Sequence, residues 1–209
     1  ITNINPKVNK RINNFYRVAS SNDITLMNEM GFSVEEYVFN YKKALKLASK
    51  NNLASLKKVT LLTNPKKYAK EDPQVLTDGA LGGNSFYSNW LGFEGNDMDA
   101  VVDLGSSNSI NNISMNFLQV TNHIVFYPLD VQFEISKDSI SWKNLPIITN
   151  QKKLNSNSKV NDIQTFSQNV NNEKARYIRI KAKNIKKAPF WHHGADLPAW
   201  IFADELIVE

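Results

Sequence analysis

No cysteine occurs anywhere in the 209 residues. That absence excludes disulfides, thiolate metal sites and cysteine nucleophiles together. It says little about compartment, because a domain of this size is stable without crosslinks. Histidine is scarce, with three in the chain, two of them the neighbours His192 and His193. Adjacent histidines without a third ligand at a recognisable spacing rarely form a transition-metal site. No stretch approaches the ~18 consecutive apolar residues of a membrane span. The opening ITNINPKVNKR lacks the ~7–15-residue apolar core of a signal peptide, so the chain reads as a mature product or as a fragment of something longer. P-loop, HExxH, GxSxG and Rossmann signatures are all missing.

Charge of one sign is also in short supply where a polyanion binder would need it. The formal net charge is +5, but the excess is local. Residues 1–56 carry eight Lys and Arg against four Asp and Glu, which leaves 17 against 16 for residues 57–209. A nucleic-acid binder concentrates basic residues on its main domain. The balance here excludes nucleic acid as the expected partner.

Residues 1–56 read as helical. Val8, Ile12, Phe15, Tyr16 and Ala19 recur at spacings of three and four, and Asp23 suits the cap of a short second helix ended by Gly31. Ser33-Val-Glu-Glu36 is a capping box. Behind it Val34, Tyr37, Val38, Tyr41, Ala44, Leu45 and Ala48 form an apolar stripe. Lys42, Lys43, Lys46 and Lys50 gather toward the end of that helix, where its dipole favours cations. Glu35, Glu36 and the tyrosines dilute a membrane-surface pattern, so packing on a neighbouring domain is favoured over membrane insertion. This segment is too thin to hold a core alone. It is expected to be a helical connector or the tail of an upstream domain.

From Lys57 the period changes. Strand candidates are Lys57–Thr63, Ala100–Leu104, Ile110–Gln119, Pro128–Ser136, Ile140–Leu145, Ile163–Ser167, Ala175–Ala182 and Trp200–Val208. Val131, Phe133 and Ile135 alternate cleanly, and Asn, Ser, Gly and Asp fill the gaps. About eight short strands without intervening helices imply a mainly β protein, an antiparallel sandwich. Lys152–Asp162 reads as a polar loop. Trp90, Trp142 and Trp200 sit among apolar neighbours and are expected in the core.

The most informative stretch is 76–105, LTDGALGGNSFYSNWLGFEGNDMDAVVDLG. An acidic turn at Asp78-Gly79 is followed by Gly82, Gly83, Asn84 and Ser85, then by Tyr87, Trp90 and Phe93. An acid beside glycines and small polar residues suits an oxygen-only cation site, which needs carboxylates and carbonyls brought close by tight turns.

Taken together, six segments in order resemble a known family. They are Leu76-Thr-Asp-Gly79, Trp90-Leu-Gly92, Ala100–Gly105, Val131–Ser136 with Asp138 and Trp142, Ala175–Ile180, and Trp200–Val208. Residues 57–209 are similar to the discoidin, or coagulation-factor type C, fold in its form as family-32 carbohydrate-binding modules. The pieces Phe190–Gly194, Ala199–Glu205 and Phe117–Gln119 before Phe126–Pro128 resemble modules at the C-terminus of Bacteroidetes glycoside hydrolases, family-20 β-hexosaminidases especially. The resemblance implies a jelly-roll β-sandwich of the galactose-binding type. It also implies a secreted, periplasmic or cell-surface setting, and a non-catalytic role as carbohydrate-binding accessory to an upstream catalytic domain. A structural domain that packs against that enzyme without binding glycan remains the alternative.

The resemblance further implies a structural calcium ion that pins an early turn to the last strand. Asp78 and Glu205 would supply carboxylates, with Leu76, Gly83, Ser85 and Ala203 completing a shell of roughly 6–8 oxygens. Sugar sites of this fold lie on loops at one end, where an aromatic face stacks on pyranose C–H groups and fixed polar groups take the hydroxyls. The loop Ala188–Pro198 supplies Trp191, His192, His193 and Asp196, with Phe190 beside them. Tyr87 and Glu94 approach from the first loop, and Gln119, His123 and Tyr127 from the stretch around 120–127. Trp191 reads either as a ligand platform or as packing at the rim. Strand alternation predicts that Asp204 and Glu205 point to opposite faces and so cannot flank one bond as glycosidase carboxyls must, ~5–9.5 Å apart.

Overall fold

A computed structural model describes residues 52–66, 72–83, 89–152 and 161–209. The expected helices, Ser85 and Tyr87 lie outside these residues. The strands are β1 (Lys58–Leu61), β2 (Leu91–Glu94), β3 (Met98–Gln119), β4 (Asp130–Ser136), β5 (Lys143–Asn144), β6 (Ile148–Thr149), β7 (Asp162–Ala182) and β8 (Trp200–Val208). The named strands pair antiparallel in the order β2-β8-β3-β7-β4-β5, with β1 against β3 and β6 against β4. Mainly β, with almost no helix among the described residues, this is the expected jelly-roll sandwich.

Two strands build both layers. β3 and β7 run for 22 and 21 residues, several times the usual ~5–6. The first part of β3, residues 98–103, pairs with β1 and with residues 177–182 of β7. Its later part, residues 112–119, pairs with 162–169 of β7, and 113–118 also face β8. Register shifts fall between, at Asp103/Asn108 and Ile110/Asn112. Irregularities of this kind bend a strand and let it pass from one layer to the other.

Period-two alternation fills the space between the layers. Three rows cross the first layer: Met98, Ala182 and Val131; Ala100, Ile180 and Phe133; Val102, Ile178 and Ile135. All nine side chains are buried. From the second layer Ile113, Met115, Phe117, Phe166, Leu206 and Val208 meet them in one cluster, with Phe117 edge-on to Phe166 at 5.4 Å. The outward positions of the first layer carry ion pairs instead, Asp99 with Arg179, Asp103 with Arg176, and Glu134 with Lys181. Packing also begins before the first strand. Ala54 is fully buried and Leu53 donates to the Val208 carbonyl at 2.8 Å.

Two expectations are corrected here. The strand at Ile140–Leu145 shrinks to Lys143–Asn144, with Ile140 83% exposed. The Asp138 carboxylate accepts from the N–H groups of Ile140 and Ser141, and the Ser136 hydroxyl accepts from those of Asp138 and Ser139. Local side-chain bonds of this type take backbone donors away from a ladder. Of the three tryptophans expected inside, only Trp90 is fully buried. Trp142 and Trp200 are half-buried, and Trp200 stacks on Phe202 at 5.4 Å instead.

Candidate functional site

The first site lies where the early turn meets β8. Asp78 leads it: its Oδ1 accepts from the Ala80 N–H at 2.8 Å, and the Asn89 amide bridges both carboxylate oxygens at 3.3 and 3.2 Å. Glu205, 3% exposed, accepts from the Gly79 N–H through Oε2 at 3.1 Å and from the Asn52 amide through Oε1 at 3.3 Å. Burial pushes the Glu205 carboxyl up to about 9, the neighbouring charges of Asp78 and Asp204 add to the rise, and the Gly79 bond opposes it. The Asp204 Oδ2 accepts from the Gly82 N–H at 3.0 Å. Trp90 completes the floor. Its indole donates to the Gly83 carbonyl at 3.0 Å and lies against Gly82, where an added Cβ would come within 2.1 Å of the ring.

Asp204 and Glu205 therefore do not diverge, and the alternation argument fails at this point. Met115 faces Leu206 and Phe117 faces Ala203, so Asp204 and Glu205 together stand opposite the single residue Asn116. This is a β-bulge, which re-aims side chains that a regular strand would send to opposite faces. Both carboxylates reach the same 79–82 turn. They are buried beneath it, so they do not present a pair of acids to a glycosidic bond.

The donors suit a hard cation. Asp78 on the turn and Glu205 on β8 supply oxygen-only side chains to one junction, and the charges acting on Glu205 are those of other carboxylates. Leu76 and Ala203, each two residues before one of these acids, are fully buried, and Gly83 offers a carbonyl already accepting from Trp90. Ser85 lies outside the described residues. Among the described residues no three His, Asp or Glu side chains cluster as a metal site by themselves. A cation here would depend on carbonyl oxygens as well as carboxylates, as calcium sites do.

The second site is the loop 188–198. His192 holds it together. It is 6% exposed, its Nδ1 accepts from the Gly194 N–H at 2.9 Å, and its Nε2 lies 2.6 Å from the Thr121 carbonyl. For both bonds to hold, Nε2 carries the proton. The loop is closed further by Ala188 donating to Leu197, Asp196 to Ala188, and Leu197 to Gly194. His192 is thus a strut between this loop and the Thr121–His123 turn, with both ring nitrogens occupied.

Trp191 is half-buried, edge-on to Phe126 at 6.3 Å, in a cluster with Ala188 and Ala199. His193 is exposed, its ring 4.2 Å from that of His192. Asp196 is exposed at a left-handed φ of 65°, and its carboxylate stands 3.8 Å from Lys187. His123 is exposed in its turn, and Gln119 is half-buried opposite Asp162. Tyr127 is 1% exposed, and burial, then the nearby Asp162 carboxylate, raises its hydroxyl pKa. It lies too deep to touch a ligand at the surface. Phe190, beside these residues, is 93% exposed at the loop tip.

Several solved structures are similar at low identity. The module CBM32-1 of a family 31 glycoside hydrolase from Clostridium perfringens is 13% identical, with 76% of this chain and 96% of that one covered at a TM-score of 0.48. CpGH89CBM32-4, from the same organism and solved with GlcNAc-α-1,4-galactose, is 17% identical, covering 75% and 92% at 0.47. The Streptococcus pneumoniae fucose binding module SpX-3 is 12% identical, covering 76% and 96% at 0.43. No curated protein matches the chain. The sequence itself decides the family: residues 59–201 match the F5/8 type C domain, and the chain belongs to that family.

Proposed function

We propose that this chain is a non-catalytic carbohydrate-binding module. The observation that carries the reading is the loop tip: a backbone tied down by His192 holds Phe190 93% exposed, with His193 and Asp196 exposed nearby in the chain. A rigid aromatic face stacks on pyranose C–H groups at little entropic cost, and the polar neighbours take hydroxyls. Trp191 and His192 shape and stiffen the loop, while His123 and Gln119 approach from its neighbour. Tyr87, the candidate from the first loop, lies outside the described residues.

Calcium completes the reading. A cation held by Asp78 and Glu205, with carbonyls from the Leu76, Gly83 and Ala203 stretches and from Ser85, cancels the repulsion of buried acids and staples the early turn to β8. The module would serve a secreted, periplasmic or cell-surface glycan-degrading enzyme, and raise its effective concentration at the glycan by tethering. A second reading has its own observation. Leu56 and Leu62, 73% and 54% exposed, flank β1 close to the start of the described chain, as expected of a domain that packs on an upstream one.

A glycan array probed with the intact chain in calcium separates the two. Binding to a defined glycan class supports the module. A well-folded protein that binds none leaves the packing domain in its place.

A further inference from the structure

Asn52 makes more bonds than a connecting residue needs. Its Oδ1 accepts from the N–H groups of Ala54 at 3.0 Å and Val208 at 2.9 Å, and its Nδ2 donates to the Leu206 carbonyl at 2.8 Å. Next to it, Leu53 donates to the Val208 carbonyl. Both ends of the amide are committed, so a flipped or shifted side chain would set oxygen against oxygen. The remaining bond goes to the Glu205 Oε1 at 3.3 Å, long for a bond to a carboxylate. The point where residues 1–51 join the sandwich is therefore fastened to β8 by the same side chain that touches the acid at the turn.

We propose that Asn52 couples a cation at the Asp78–Glu205 turn to the docking of residues 52–54 on β8. The inference rests on the calcium reading given above. Without a cation, the bond from the Asn52 amide to the Glu205 Oε1 is slack at 3.3 Å. A cation that fixes the carboxylate turns this contact into a firm charge-assisted bond. Asn52 is then held from both sides, and the 52–54 clamp opens less often. Coupling is reciprocal: whatever the cation contributes to the clamp, the clamp contributes to cation affinity. Asn52 is a positioning residue in this scheme, acting through Glu205. In a protein with a domain ahead of the sandwich, the cation would set how firmly the connector leaves it.

The test is amide hydrogen exchange on the full chain in calcium chloride and in EDTA, with calorimetry of calcium binding alongside. In wild type, calcium slows exchange at Leu53, Ala54 and Val208 roughly tenfold beyond its effect at the core amide of Ile178, the size expected for one hydrogen bond to a charged group. In Asn52→Ala calcium still binds, its Kd weakens by about the same factor, and the extra slowing is lost. Calcium binding with equal slowing at all four amides in wild type overturns the coupling alone, and this contrast decides even where the alanine variant does not fold. Retention of the extra slowing in Asn52→Ala also overturns it. No heat of calcium binding to wild type overturns the calcium reading and the coupling with it.

Discussion

Asp204 and Glu205 are neighbours in β8, yet each accepts a hydrogen bond from the same short turn, Asp204 from Gly82 and Glu205 from Gly79. A bulge against Asn116 makes this possible. The last strand and the first long loop are thereby joined through two buried carboxylates, which gives the turn its shape.

That junction tolerates no added bulk at Gly82. An alanine methyl would meet the Trp90 ring at 2.1 Å, and the ring is itself pinned by its bond to Gly83. Gly82→Ala is expected to lower the unfolding free energy by about 1–3 kcal/mol, the usual cost of overpacking. Urea titration with tryptophan fluorescence measures it.

Removing calcium should have a comparable effect. At a hundredfold excess over its Kd a ligand bound only by the native state contributes about 2.7 kcal/mol, which moves the Tm of a domain of this size by roughly 5–10 °C. Calorimetry in calcium and in EDTA is expected to show that difference in wild type and none in Glu205→Gln. Equal Tm values for wild type in both buffers would count against the ion.

Acid stability offers an independent check on the opposite layer. The hydrogen bonds from Arg176 hold the Asp103 carboxyl below its usual range, against a smaller opposing effect of burial. A depressed native pKa means stability that is present above the ordinary value near 4 and lost as pH falls through the native one. The pair is partly exposed, so Asp103→Asn should cost less than about 1 kcal/mol at pH 7 and nothing near pH 2. Denaturation curves at the two pH values test both halves.

How much of this was legible in sequence differs by element. Alternation in Val131–Ile135 located part of the core, because a buried face leaves its period on the chain. The resemblance singled out Asp78 and Glu205, and the Glu205 carboxylate accepts from Gly79, the residue after Asp78. The bulge was not legible, since inserting one residue into a strand leaves no compositional mark. Nor was the passage of β3 and β7 between layers, where Asn and Ser residues read as loops. That Trp191 packs on Phe126 while Phe190 stays exposed was not legible either. Two adjacent aromatics at a loop tip cannot both face the cluster around Phe126, and sequence does not say which one turns inward.

The outward residue separates binding from folding. Phe190→Ala removes a side chain that is 93% exposed, so its Tm should stay within about 1–2 °C of wild type. Trp191→Ala, by contrast, strips a ring packed on Phe126 and should lower the Tm measurably.

The most direct measurement is calorimetric titration of wild type and Phe190→Ala with the best glycan from the array, in calcium. Saturable binding by wild type, weakened at least tenfold in a Phe190→Ala protein of unchanged Tm, is the expected result and matches the ~1–3 kcal/mol a stacking aromatic supplies. Equal affinity in the two proteins would contradict the placement of the sugar on the 188–198 loop tip.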